Sequence, residues 1–265
     1  MITPILMLGA GRMGGAILEG WRRAEAFEAG ELMICDPDPG EAALAAVAAG
    51  ARLNPPEAEL AKARTVVLAV KPQVWVGTAA EYAAWLHADA VIVSIAAGVR
   101  AADIAKAFGG RCVARVMPTT AAAINQGTAS LYADDPAALA RAHALFEPLG
   151  AVVDLTDEEQ MHAATAISGS GPAYLYAFVE ALEGAALAAG LAPKEAARLS
   201  RSTVTGAAAL LAHSKAEPAD LRRQVTSPGG TTEAALNVLL SDTGLPPLLR
   251  EAVIAAIRRS KQLGG

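Results

Sequence analysis

The sequence predicts two domains of different class. Residues 1–155 read as an α/β domain with a doubly wound, mostly parallel sheet, and residues 156–265 as an all-helical domain. Three observations carry this. Short apolar, often β-branched runs alternate with alanine-rich helical stretches up to Leu155, the pattern of buried strands and their crossover helices. Beyond Leu155 the alternation stops and only helical periodicity remains. A glycine-rich turn, Gly9-Ala10-Gly11-Arg12-Met13-Gly14, closes the first apolar run and opens the first helix. A length of 265 residues suits one large or two ordinary domains, at roughly 100–200 residues each.

The elements follow in order. Pro4–Leu8 is the first strand and Met13–Trp21 the first helical period. Leu32–Cys35 is a second strand, ending in Asp36-Pro37. Thr65–Val70, Ala90–Ile95, Arg111–Met117, Thr128–Tyr132 and Ala151–Leu155 continue the series, with helical stretches such as Glu41–Ala49 and Ala101–Phe108 between them. In the second part Asp157–Ser168, Pro172–Ala189, Pro193–Ala212, Pro218–Val225, Thr232–Leu240 and Pro247–Leu263 are helical. Gly190 stops the long helix, and proline stands near the start of four of them, where its missing N–H costs nothing.

Composition narrows the function classes. Hydrophobic residues make up 53% and charged residues 18% of the chain, which excludes a disordered, solvating polymer. Alanine accounts for 64 residues, so thin, closely packed helices are expected. A net charge of −5 argues against a nucleic-acid partner. No apolar run is long enough for a membrane span, and no basic region precedes the first apolar run as in a secretory leader. Cys35 and Cys112 form no disulfide framework or zinc site, and a cytoplasmic location is expected. Ala163–Ile167, Leu175–Val179, Leu182–Leu187 and Val204–Leu211 are apolar on several faces. They read either as alanine-rich core helices or as surface covered by a second subunit, and the small size of the domain favours the second.

The glycine turn has the spacing of a dinucleotide-binding loop. Gly9 permits the turn, Gly11 lets a pyrophosphate approach the backbone, and Gly14 lets helix pack on strand. The alternative is an ordinary glycine turn. Asp36, at the end of the second strand, reads as an acceptor for ribose hydroxyls that repels a 2′-phosphate, or as part of a plain Asp-Pro-Asp-Pro turn. Arg12 offers a cation on the other side, so NADH and NADPH both stay open. Ligands of such sheets sit beyond the carboxyl ends of the strands. The loops there are Lys71-Pro72-Gln73, Ala96-Ala97-Gly98 and Met117-Pro118-Thr119-Thr120. Lys71 reads as a solvated strand end or a cofactor-facing cation, and Met117-Pro118 as a nicotinamide wall or a strand terminus.

Two loops in the helical part concentrate hydroxyls and glycines: Ser168-Gly169-Ser170-Gly171-Pro172 and Ser227-Pro228-Gly229-Gly230-Thr231-Thr232. Free N–H groups at a helix N-terminus suit a carboxylate. Two well-capped helix starts is the plainer reading, but the second loop holds more hydroxyl and glycine than a cap needs. Metal-ligand spacing is absent. Ser168 lacks the flanking glycine of a nucleophile elbow, since residue 166 is alanine.

These segments, together with Ala69–Gln73, Ser94–Gly98, Arg115–Pro118 and Ser168–Tyr174, resemble in order the Δ1-pyrroline-5-carboxylate reductases, over essentially the whole chain. The resemblance implies an N-terminal Rossmann domain, a C-terminal helical domain that forms a homodimer and larger rings of dimers, and NADPH- or NADH-dependent reduction of a small cyclic imine. It assigns cofactor binding to Gly9, Gly11, Arg12, Met13, Gly14, Asp36, Ala69, Val70, Lys71, Pro72, Ala96, Gly98, Met117 and Pro118. It gives the imine nitrogen to the Thr232 hydroxyl, and the substrate carboxylate to the Ser227 hydroxyl and the amides of Gly230, Thr231 and Thr232. Three positions depart from the family pattern: Thr119 and Ala121 in a segment that usually reads MPNTP, and Asn125 where glycine is common. Thr119 is expected to lose amide contacts near the nicotinamide, and Ala121 to loosen the loop. A related cyclic imino acid as substrate stays open. A β-hydroxyacid dehydrogenase is disfavoured, because the first lysine after Leu155 is Lys194, beyond the long helix.

Overall fold

The computed structural model describes residues 2–263. Eight strands form one sheet: β1 (Ile5–Leu8), β2 (Leu32–Cys35), β3 (Arg52–Leu53), β4 (Thr65–Leu68), β5 (Val91–Ser94), β6 (Val113–Pro118), β7 (Gly127–Tyr132) and β8 (Gly150–Asp154). Their spatial order is β3-β2-β1-β4-β5-β6-β7-β8. The first six are parallel, β7 pairs antiparallel with β6, and β8 runs parallel to β7. The order reverses between β1 and β4, and at such a switch point the loops after neighbouring strands diverge and leave a crevice. The helices between strands are α1 (Arg12–Arg23), α2 (Glu41–Ala48), α3 (Glu57–Leu60), α4 (Trp75–Tyr82), α5 (Ala101–Ala107) and α6 (Pro136–Phe146).

The central strands read as unbroken apolar runs because both of their faces are covered. Ile5 and Met7 point into one core with Ile17, Trp21, Ile34 and Phe146. Leu6 and Leu8 point into the other with Met33, Leu68, Ile92 and Phe108. Trp21 donates its indole N–H to the Leu145 carbonyl at 2.7 Å, so its polar end is satisfied inside the core.

The remaining helices are α7 (Gln160–Ala164), α8 (Gly171–Ala188), α9 (Pro193–His213), α10 (Pro218–Gln224), α11 (Thr231–Leu239) and α12 (Leu245–Leu263). A single π-turn, Thr165–Gly169, follows α7. The alternation of strand and helix ends at Leu155, yet the chain divides into compact units elsewhere. One unit comprises residues 1–169 and 256–265, the other Ser170–Ala255. Helix α7 and the last turns of α12 therefore belong with the sheet. His162 bonds the hydroxyl of buried Ser260 at 2.9 Å, and Lys261 lies 3.9 Å from Glu159. Glu158 bonds the buried Arg115 of β6 at 2.9 Å and accepts from the Ala101 amide at the start of α5.

In the second unit α8 and α9 pack against each other, and few side chains are buried. Leu175, Tyr176, Phe178, Leu199, Leu210, Leu211, Val238 and Leu248 are all exposed. This is far more apolar surface than a monomeric helical unit carries. No helix among the described residues is long and apolar enough to cross a membrane.

Candidate cofactor and substrate loops

The glycine turn lies between the end of β1 and the start of α1, at the switch point. Its three glycines stand in different surroundings. Gly9 has φ +90°, and a Cβ there would lie 2.9 Å from Val70 Cγ1 and 3.0 Å from the Ala69 carbonyl. A Cβ on Gly14 would meet the Gly9 carbonyl oxygen at 2.4 Å. Gly11 faces open space, with nothing within 4 Å of where its Cβ would be. Two glycines are thus required by packing, and the third keeps a cradle clear at the N-terminus of α1. Gly11 makes no side-chain cap, so the first amides of the helix stay available to an anion. A dinucleotide pyrophosphate fits this cradle. Arg12, the first residue of α1, is exposed and has no ion-pair partner among the described residues. Met13 is half-buried against the core, and Gly14 is buried.

Asp36 sits beside the loop, one residue past β2. One carboxylate oxygen accepts from the Ala10 amide at 2.5 Å and the other from the Asp38 amide at 2.8 Å. Asn54 brackets the same residue, its carbonyl accepting from the Asp36 amide and its amide donating to the Asp36 carbonyl, both at 3.0 Å. The Asp-Pro turn thus forms, with the Asp36 carboxylate turned onto the glycine loop. Next to it a cavity of about 370 Å³ is lined by Cys35, Pro37, Asn54, Glu57, Tyr82 and Trp85 among others. Burial pushes the Cys35 thiol up to about 11, so it stays protonated.

The other wall of the crevice comes from the strand ends. Ala69 and Val70 pack directly on the glycine turn, as the close approaches at Gly9 and Gly14 show, and Lys71 follows them, exposed and unpaired among the described residues. Pro72 comes just before α4. Ala96 is buried and donates to the buried Ser94 hydroxyl, and Gly98 follows in the same loop. Met117 and Pro118 end β6, and a Cβ on Gly169 would lie 3.3 Å from Met117 Sδ, which brings the Ser168-Gly169 backbone against that strand end.

The segment 119–125 makes several local hydrogen bonds. The Thr119 hydroxyl accepts from the Thr128 amide at 3.0 Å, and the Ala121 carbonyl accepts from Gln126. Asn125 takes the left-handed conformation, φ +55°, that glycine would otherwise serve. Its side-chain amide donates to the carbonyls of Gly20 and Pro148, each at 2.8 Å, tying the turn to α1.

The second loop lies in the other unit. Gly229 has φ +70°, and the Gly230 amide donates back to the Ser227 carbonyl at 3.0 Å. Glu233, on the first turn of α11, reaches back to accept from the Gly229 amide at 2.7 Å. The Gly230 amide is thus bonded within the turn. The amides of Thr231 and Thr232, the first two of α11, have no acceptor among the described residues. Ser227 and Thr231 are exposed and Thr232 half-buried. Glu233 and Asn54, which brace the two loops, carry no expectation from the sequence. For Glu233 the signal was present, an acid three residues after the helix cap.

Comparison with known proteins decides the family. A family model described as pyrroline-5-carboxylate reductase dimerisation matches residues 158–263, and one described as NADP oxidoreductase, coenzyme F420-dependent, matches residues 4–98. The pyrroline-5-carboxylate reductase of Pseudomonas aeruginosa is 39% identical over 99% of this chain and 98% of its own. The chain belongs to the pyrroline-5-carboxylate reductase family. The Synechocystis member is 37% identical over 100% of this chain and 99% of its own. Among solved structures, the reductase of Coxiella burnetii covers 100% of both chains at 30% identity, with a TM-score of 0.90. That of Plasmodium falciparum, solved with NADP bound, covers 99% of this chain and 98% of its own at 25% identity, with a TM-score of 0.84. Family membership agrees with the expected α/β plus helical architecture. It also gives a function to the exposed apolar helices, which fall inside the dimerisation match.

Proposed function

We propose that the chain reduces the C=N bond of 1-pyrroline-5-carboxylate to give L-proline, the last step of proline biosynthesis, with NADPH or NADH as donor. The observation that carries this reading is the pair of unpartnered amides at Thr231 and Thr232, on a tight glycine turn, in a chain of this family. When bound, the nicotinamide supplies a hydride to the imine carbon. The Gly11 cradle and the first amides of α1 hold the pyrophosphate, Arg12 and Lys71 add cations, and Asp36 faces the adenosine ribose. Ala96, Gly98, Met117 and Pro118 bound the nicotinamide end. The amides of Thr231 and Thr232 and the Ser227 hydroxyl hold the substrate carboxylate, and the Thr232 hydroxyl bonds the ring nitrogen. That nitrogen carries its proton as the iminium or receives it from the hydroxyl and water, so no charged acid or base is needed beside it. Orientation of reacting groups can be worth roughly 7–11 kcal/mol.

The reading further holds that the protein works in the cytoplasm as a homodimer through its helical unit, and as a ring of such dimers. The exposed apolar helices support the dimer, and two unpaired cysteines support a reducing compartment. The test is loss of reduced-nicotinamide absorbance in the presence of the imine. Thr232→Ala is expected to lower turnover by about one to three decades, the scale of one preorganised hydrogen bond in a site. Unchanged turnover would remove Thr232 from the mechanism, and no imine-dependent oxidation by the unaltered protein would overturn the reading.

A further inference from the structure

The segment 158–169 is fastened along one face of β6 at both of its ends. Side chains alternate across a strand, so Arg115 and Met117 share a face, while Ala114 and Val116 pack into the core on the other. Glu158, at the start of the segment, pairs with the buried Arg115 at 2.9 Å. Gly169, at its end, lies on Met117: a Cβ there would stand 3.3 Å from Sδ and 3.7 Å from Cγ. Between these points Arg100 pairs with Glu159 at 2.7 Å, His162 bonds Ser260 at 2.9 Å, and Met161 and Ala166 are buried.

The end that meets Met117 is the π-turn Thr165–Gly169. Such turns carry more residues than an α-turn and recur at functional sites. Two hydroxyls fix this one from within, Thr165 donating to the Met161 carbonyl at 2.7 Å and Ser168 to the Ala164 carbonyl at 2.9 Å. Gly169 is not among the glycines with positive φ, so a side chain is excluded there by closeness to Met117 and not by backbone conformation.

We infer that Gly169 is a positioning residue for the proposed reduction. It lets the π-turn close on Met117 and so fixes where that thioether stands against the nicotinamide. The inference rests on the proposed function, which puts Met117 at the nicotinamide end, and adds what holds that wall in place. Met117 is buried at the carboxyl end of β6, where ligands of such sheets lie. A methionine side chain has three rotatable bonds, so its position is set by what packs on it. Misplacement of reacting groups by about 1 Å can cost roughly a hundredfold in rate, so a shift of a few tenths of an ångström is worth about three- to tenfold.

The test uses the full chain with carbon-13 in the methyl groups of its six methionines. The Met117 signal is the one missing from Met117→Leu. Gly169→Ala is expected to move that signal more than any other methionine signal, without cofactor or imine present. Its kcat for imine reduction should fall about three- to tenfold, while calorimetric affinity for NADPH and NADH stays within about twofold and the denaturation midpoint does not drop, since alanine favours a helical backbone. In the Met117→Leu protein the added methyl meets no sulfur, and there Gly169→Ala should lower kcat by at most about twofold. An unmoved Met117 signal, an unchanged kcat, or the same loss in both backgrounds would overturn the positioning role. So would a lower midpoint with kcat and affinity falling together, the mark of a merely structural glycine. An unaltered protein that does not reduce the imine would overturn the proposed reaction, and the role of Gly169 with it; the methyl signal, read without chemistry, tells that failure from a failure of the seat.

Discussion

Adding one methyl group to the glycine loop should separate cofactor binding from stability, according to where it is placed. Gly11 has extended backbone angles, φ −64° and ψ −156°, which alanine adopts without strain, and its Cβ would enter open space. Gly11→Ala is therefore expected to leave folding stability within about 0.5 kcal/mol of the parent, as for a surface change. The same methyl occupies the cradle that the pyrophosphate enters. Displacing one charge-assisted N–H bond to phosphate costs about 1.5–3 kcal/mol, so dinucleotide affinity should fall roughly ten- to hundredfold. Gly14→Ala reverses the pattern. Its Cβ would sit 2.4 Å from the Gly9 carbonyl oxygen, a backbone atom that cannot swing aside. Overpacking of this kind costs about 1–3 kcal/mol, and α1 must lift from β1 to relieve it. The assays are urea denaturation at fixed protein concentration and nucleotide titration of the same samples. A Gly11→Ala protein that binds as the parent does would refute the assignment of the cradle. A Gly14→Ala protein as stable as the parent would refute the packing argument.

Three further outcomes follow from the sheet unit. Asn125→Ala should cost about 2–4 kcal/mol, from two lost hydrogen bonds and a left-handed backbone without glycine, whereas Asn125→Gly should lose only the bonds, about 1–2 kcal/mol. Equal losses in denaturation midpoint would remove the backbone contribution. Glu158→Ala leaves the buried Arg115 without its carboxylate and α5 without its cap, and should destabilise by about 3–5 kcal/mol; an unchanged midpoint would mean that water reaches Arg115. At His143, burial pulls the imidazole pKa down, but bonds and charges from Glu147 and Asp154 outweigh it and the net shift is upward. Its contribution is complete below its unfolded value of about 6.5 and fades as pH rises through the higher folded value. His143→Ala should thus cost up to about 1 kcal/mol at acid pH, the small scale of exposed pairs, and nothing in mild alkali; a cost that grows with pH would contradict the assignment.

The parts of the fold that were legible in the sequence are those fixed by burial. β1, β4 and β5 read clearly because both their faces are covered, which leaves unbroken apolar runs. β3 was not legible, since two residues at a sheet edge, Arg52 and Leu53, carry no pattern. The reversal of β7 was hidden too, because an apolar run has no direction. The direction is set by the 120–124 turn and the left-handed Asn125. The division at Gly169 escaped for a related reason, as helical periodicity does not say on which body a helix packs. Spacing alone picked out Gly9, Gly11, Gly14 and Asp36, and the fold brings them to one turn at the ends of β1 and β2. It could not say that the Gly230 amide is spent on Ser227, because that depends on the positive φ of Gly229 and the back-reach of Glu233.

The return of α12 to the sheet unit sets an order of events during synthesis. The first 169 residues hold all eight strands, yet their unit is completed only by residues from 256 on, where Ser260 meets His162. At about 5–20 residues per second, the ribosome needs roughly 4–17 s to make the intervening stretch. Through that interval the seat of the last helix stays open, while an apolar helical segment is made behind the sheet. A chain made only as far as residue 255 would hold every strand of the sheet and lack the helix turns that close on it.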